Sequence, residues 1–151
     1  MTVSQIAALI VLMLAPNPRH PVLKNKSELE KISTEIVEAS DEFEIDPILL
    51  TVWSFYESSF IKTAVGKIGE TGYMQTVGVV AKKCERNGIK SDSIMCGAFT
   101  IREGILKCGS VKKSLWLYSS PGYAGCNGTP AARRTTAYRL RKVEQWRAKI
   151  K

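Results

Sequence analysis

Glu57 is the residue whose position most suggests chemistry. It follows directly on Ile48, Leu49, Val52, Trp53, Phe55 and Tyr56, a set that is apolar on nearly every face of a helix and therefore reads as central and buried. A carboxylate at the end of such a helix is costly to ionise. An apolar setting raises its pKa towards neutrality, where the group can donate a proton and later recover it. Cleavage of a bond whose leaving atom must be protonated needs that service. The same position also suits a glutamate that merely ends a helix as the chain turns to water. Glu70, in a glycine-rich stretch, is a further carboxylate that either joins such chemistry or is a loop charge facing solvent.

The elements that must hold Glu57 can be read from their boundaries. Asp46 followed by Pro47 starts its helix with a capping side chain and a proline at the first helical position. Before it, Ser27 with Glu30 makes a capping box for a helix whose apolar face is Leu29, Ile32, Ile36, Ala39 and Phe43. After it, Gly66, Gly69, Gly72 and Gly78 mark residues 64–78 as a loop or a small irregular sheet. Short helices are expected over Val79–Arg86, Asp92–Lys107 and Val111–Tyr118. Pro121, Gly122, Gly125 and Gly128 form a loop, and Thr129–Pro130 opens a terminal helix with Leu140, Val143, Trp146 and Ile150 as its apolar positions. The fold class expected is mostly α: one domain over residues 24–151 with a small glycine-rich loop or β insertion.

Bulk properties narrow the possibilities. A chain of 151 residues, 44% apolar and 24% charged, is one ordinary globular domain. Its net charge is +8, and residues 133–151 carry eight basic side chains against Glu144 alone. This segment is either a solvated basic face or an attraction for a polyanion such as nucleic acid, an anionic membrane face or a bacterial wall. No phosphate loop, dinucleotide fingerprint or interleaving of basic and aromatic residues is present, so no specific nucleic-acid partner is expected. Cys84, Cys96, Cys108 and Cys126 allow three pairings, or remain thiols in a reducing compartment. None has CxxC spacing and the single histidine, His20, is distant, so no metal and no cofactor is expected. The apolar run Ile6–Ala15 is short for a bilayer span. It reads as a secretory signal or anchor, with membrane contact through residues 1–16, or as a buried or partner-bound helix; no Lys or Arg precedes it. Residues 17–25, with Pro18 and Pro21 after Pro16, read as a linker.

The run Ile45–Gln75 resembles the core of the lytic transglycosylases and goose-type lysozymes. Asp46, Pro47, Leu49, Leu50, Glu57, Ser58, Phe60, Ala64, Val65, Gly69, Gly72, Met74 and Gln75 fall on that family's pattern without gaps. A second half is looser: Ser93, Ile94 and Gly97, then Cys108 and Gly109, then Leu117, Tyr118, Ser119 and Ser120, with serines at 93 and 119 where the family has asparagine. The resemblance covers roughly Ser40–Gly125. It implies a lysozyme-like fold and a peptidoglycan lytic transglycosylase that cleaves the MurNAc–GlcNAc bond. It implies that Glu57 is the catalytic acid and base and that Tyr118, with its hydroxyl beside the carboxylate, is the second catalytic residue. Ser58 would bond nearby backbone or sugar. Tyr73, Met74 and Gln75 would line the glycan groove, with Glu70 and Ser119 among the substrate contacts. The implied setting is the periplasm or a phage virion, with a phage-tail or secretion-apparatus protein as a further partner. A lysozyme-like muramidase, and a non-catalytic virion or wall-binding protein of the same fold, are the alternatives.

Overall fold

The computed structural model describes residues 1–120 and 124–151; the loop positions Pro121 and Gly122 lie outside them. Seven α-helices account for most of these residues: α1 (Val3–Leu14), α2 (Lys26–Phe43), α3 (Pro47–Ser58), α4 (Gly78–Arg86), α5 (Ile94–Cys108), α6 (Val111–Ser119) and α7 (Pro130–Lys149). Short 3-10 turns occupy Pro21–Lys24 and Gly125–Asn127. The protein is mostly helical, as its residue patterns predict. In the glycine-rich stretch, the only β pairing among the described residues is two isolated antiparallel bridges, Val65 with Thr71 and Thr71 with Thr76.

α3 is the core. Its residues Ile48 to Ser54 are buried without interruption, because α1, α2, α5 and α7 all lie against it. Asp46 caps it as expected, its carboxylate accepting the amide of Ile48 at 3.0 Å. Asp46 also pairs with Arg147 of α7, so the start of α3 is held by the terminal helix. The cap of α2 lies two residues before the expected one. The side chain of Asn25, not Ser27, accepts the amide of Glu28 at 3.1 Å, and the Ser27–Glu30 box is not used.

The first two segments are more integrated than their sequence implies. Thr2 and Gln5 form a reciprocal capping box that starts α1. Ile6, Leu9, Ile10, Met13 and Leu14, at helical spacing, are buried in the same core as α3. Residues 1–23 therefore belong to the body of this domain and do not stand apart from residues 24–151. No described helix is long and apolar enough to cross a membrane. The proline-rich linker is also fixed. His20 is buried, with Nδ1 accepting the amide of Val22 at 3.2 Å and Nε2 lying 2.7 Å from the carbonyl oxygen of Ser59, just past the end of α3.

All four cysteines are paired. Cys84–Cys96 joins α4 to α5, and Cys108–Cys126 joins the end of α5 to the Gly125–Asn127 turn.

Candidate active site

Glu57 lies in the last turn of α3, where the buried helix meets the glycine-rich loop. Its side chain is 19% exposed. The chain then turns sharply: Ser59 and Phe60 both adopt left-handed backbone, with φ of 53° and 59°. That conformation is strained for a residue as bulky as phenylalanine. Burial of the Phe60 ring against the core holds it there.

Residues of the sequence signature secure the loop beside Glu57. Ser58 Oγ donates to the carbonyl of Tyr73 at 2.8 Å, joining the end of α3 to the far side of the loop. Gln75 Nε2 donates to the carbonyls of Ala64 (3.0 Å) and Gly72 (2.8 Å), drawing the two arms of the loop together. Tyr118 Oη, arriving from α6, donates to the carbonyl of Met74 at 2.5 Å. Gly72 has φ of +83°, and a Cβ there would fall 2.4 Å from the backbone of Asp92. Only glycine lets the loop lie against the start of α5 at this point.

Two residues expected to line a groove do not present their side chains to one. Met74 is buried, with its thioether accepting a hydrogen bond from Ser54 and its side chain lying against Gly97. Tyr73 is also buried, and its hydroxyl donates to Glu28 of α2 at 2.6 Å. Large side chains directly after Gly72 can equally fill the core or a groove, and periodicity does not distinguish the two. Here the core wins, and these residues offer the site their backbone carbonyls. Ser119 is half-buried, and its hydroxyl has no hydrogen-bond partner among the described residues.

The residue that the sequence reading missed is Arg139. It belongs to the basic terminal helix, yet Nη1 lies 2.5 Å from Oε1 of Glu57. Its side chain is only 13% exposed, and its guanidinium lies over the rings of Trp53 (4.9 Å) and Tyr56 (5.6 Å). Trp53, Tyr56 and Glu57 stand at i, i+3 and i+4 on one face of α3, so one helix face supplies both the anion and the aromatic seat for the cation. A signal for this was present. Arg139 falls three residues after Thr136 and four before Val143, both buried, which places it on the inward face of α7.

The electrostatics follow from this arrangement. Burial pushes the Glu57 carboxyl above its ordinary value, the Arg139 charge and hydrogen bond pull it back, and the Glu70 charge pushes it up again. Glu70 is thus within electrostatic reach, but its Oε2 already accepts the amide of Ile68 at 2.9 Å. Burial also drives the Tyr118 hydroxyl well up, and the neighbouring Glu57 charge adds to this. An open cleft of about 750 Å³ runs along the other flank of the loop, between Lys62, Val65, Thr71, Lys90 and Asp92; Glu57 does not line it. No group of three or more potential metal ligands occurs among the described residues.

The chain matches no family model, no curated protein and no solved structure.

Proposed function

We propose that this protein is a lysozyme-like peptidoglycan lytic transglycosylase with Glu57 as the catalytic acid and base. The observation that carries the reading is the placement of Glu57 at the end of a buried helix, beside a loop tied down by Ser58, Gln75 and Tyr118. Those residues also carry the sequence resemblance. A buried carboxyl with a raised pKa suits proton donation.

In this reading Glu57 protonates the oxygen that leaves from C1 of MurNAc. The carbonyl of the sugar's own N-acetyl group supports the positive charge at C1. The 6-hydroxyl then attacks C1, Glu57 takes its proton, and the products are a 1,6-anhydro ring and a free 4-hydroxyl on GlcNAc. Tyr118 acts as a positioning residue, because its proton is committed to Met74. Glycan strands of the bacterial wall are the substrate, and the periplasm or a phage virion is the setting. The exposed basic side chains of α7, such as Arg134 and Arg141, would favour an anionic wall.

A hydrolytic, muramidase-type reaction is the second reading. It is favoured by the charge of Glu70 acting on Glu57, and disfavoured by the engagement of Glu70 with its own loop. Purified sacculi incubated with wild type and Glu57→Gln test the assignment. The variant keeps the shape of the side chain and an acceptor for Arg139 but cannot deliver a proton, so cleavage falls at least about a hundredfold. Near-normal cleavage by the variant would remove Glu57 from the mechanism.

A further inference from the structure

We propose that Arg139 is a positioning residue that fixes Glu57 Oε1 and holds Glu57 as a carboxylate in the free protein, which makes the terminal helix part of the site. This deepens the reading of Glu57 as the acid and rests on it.

The geometry is specific. The guanidinium is held from two directions, by the carboxylate at 2.5 Å and by the faces of Trp53 and Tyr56. All three partners lie on the face of α3 that meets α7. Arginine suits this position better than lysine, since its planar fork can stack on the indole and still donate in the plane. The pair is largely withdrawn from solvent, where screening is weak. The other ionisable groups that act on Glu57 differ in kind. Glu70, from the loop, opposes ionisation, and Tyr118, from α6, is neutral and donates to Met74. Arg139 is the cation of this set, and it opposes the protonation that burial of Glu57 favours.

The consequence concerns pH. An acid must be protonated to act, and Arg139 opposes protonation. A cation this close ordinarily lowers a carboxyl by about 1–3 pH units. Its removal raises the Glu57 midpoint and carries the alkaline limb of the reaction to higher pH.

The test is a carbon-13 NMR titration of glutamate carboxyl groups in the full chain, with Glu57→Gln used to assign the signal. In wild type, Glu57 is expected to be ionised at neutral pH. In Arg139→Gln its midpoint rises by a readable fraction of that range, and in Arg139→Lys, which keeps a charge, it stays nearer to wild type. A wild-type Glu57 that is protonated at neutral pH overturns the proposal without any variant having to fold. So does an unchanged midpoint in a folded Arg139→Gln. The pH profile of glycan cleavage is the second readout: a merely structural arginine lowers rate at every pH alike, whereas the role proposed here moves the alkaline limb upwards. If no variant cleaves glycan at any pH, the enzymatic reading fails while the NMR midpoint still decides the role of Arg139.

Discussion

The hydroxyl of Tyr118 donates to the main-chain carbonyl of Met74 at 2.5 Å, joining α6 to the loop beside Glu57. Loss of that hydroxyl leaves a carbonyl without its partner, at a cost of about 1–3 kcal/mol. Tyr118→Phe is therefore expected to lower stability by about that amount in urea unfolding. It should also slow turnover on soluble glycan fragments more than it weakens their binding, because it loosens the loop around Glu57 and removes no sugar contact. An effect confined to KM would make Tyr118 a wall of the binding groove instead.

Alkaline pH should unfold the protein through its tyrosines. Tyr56 is pushed up to about 12, chiefly by burial. Tyr73 and Tyr118 lie above their ordinary value for the same leading reason. An acid whose pKa is raised on folding favours the native state only while protonated. Once pH passes about 10, the unfolded chain gains stability by ionising and the native one does not. Stability should fall progressively from there towards pH 12 and beyond. Followed by phenolate absorbance, part of the tyrosine signal should appear only together with loss of helical circular dichroism. Smooth ionisation of all five tyrosines in a fully helical protein would contradict this.

The disulfides tie down elements that flank the site. Cys84–Cys96 closes a separation of 12 residues and Cys108–Cys126 one of 18. Loops of this size are worth about 3 kcal/mol each through the entropy of the unfolded chain. Cys108→Ser with Cys126→Ser should lower the urea midpoint by an amount corresponding to about that figure, and reduction of wild type should lower it further. An unchanged midpoint on reduction would mean that the bonds do not form in the protein as purified.

Local signals were legible in the sequence, and tertiary choices were not. Asp46 and Pro47 announce the start of α3, and the unbroken apolar run after them announces its burial, because both are properties of neighbouring residues. The glycines at 69 and 72 likewise announce a loop, since their backbone angles exclude most other residues. Pairing across distance is different. Arg139 is 82 residues from Glu57, and a charge count assigns it to a solvated or wall-binding face. Of the eight basic residues that end the chain, Arg139 is matched to Glu57 largely out of solvent and Arg147 to Asp46 at the partly exposed start of α3. The cap of α2 shows a smaller version of the same problem: Asn25 and Ser27 are both good caps, and packing chooses between them. Tyr73 and Met74 lie in the expected loop with their side chains turned into the core, a choice that packing makes and local sequence does not.

In the proposed reaction Glu57 cleaves glycan and the sugar's own 6-hydroxyl, not water, completes the cleavage. A hydroxyl already held in place has an advantage worth up to about 7–11 kcal/mol over a free one, and one oxygen of Glu70 is already engaged by the Ile68 amide. The most direct measurement is mass spectrometry of the muropeptides released from purified peptidoglycan. Products ending in 1,6-anhydro-MurNAc, lighter than their hydrolysed counterparts by one water, are the result expected. Reducing ends would make the protein a muramidase, and intact glycan strands after prolonged digestion would contradict the enzymatic reading altogether.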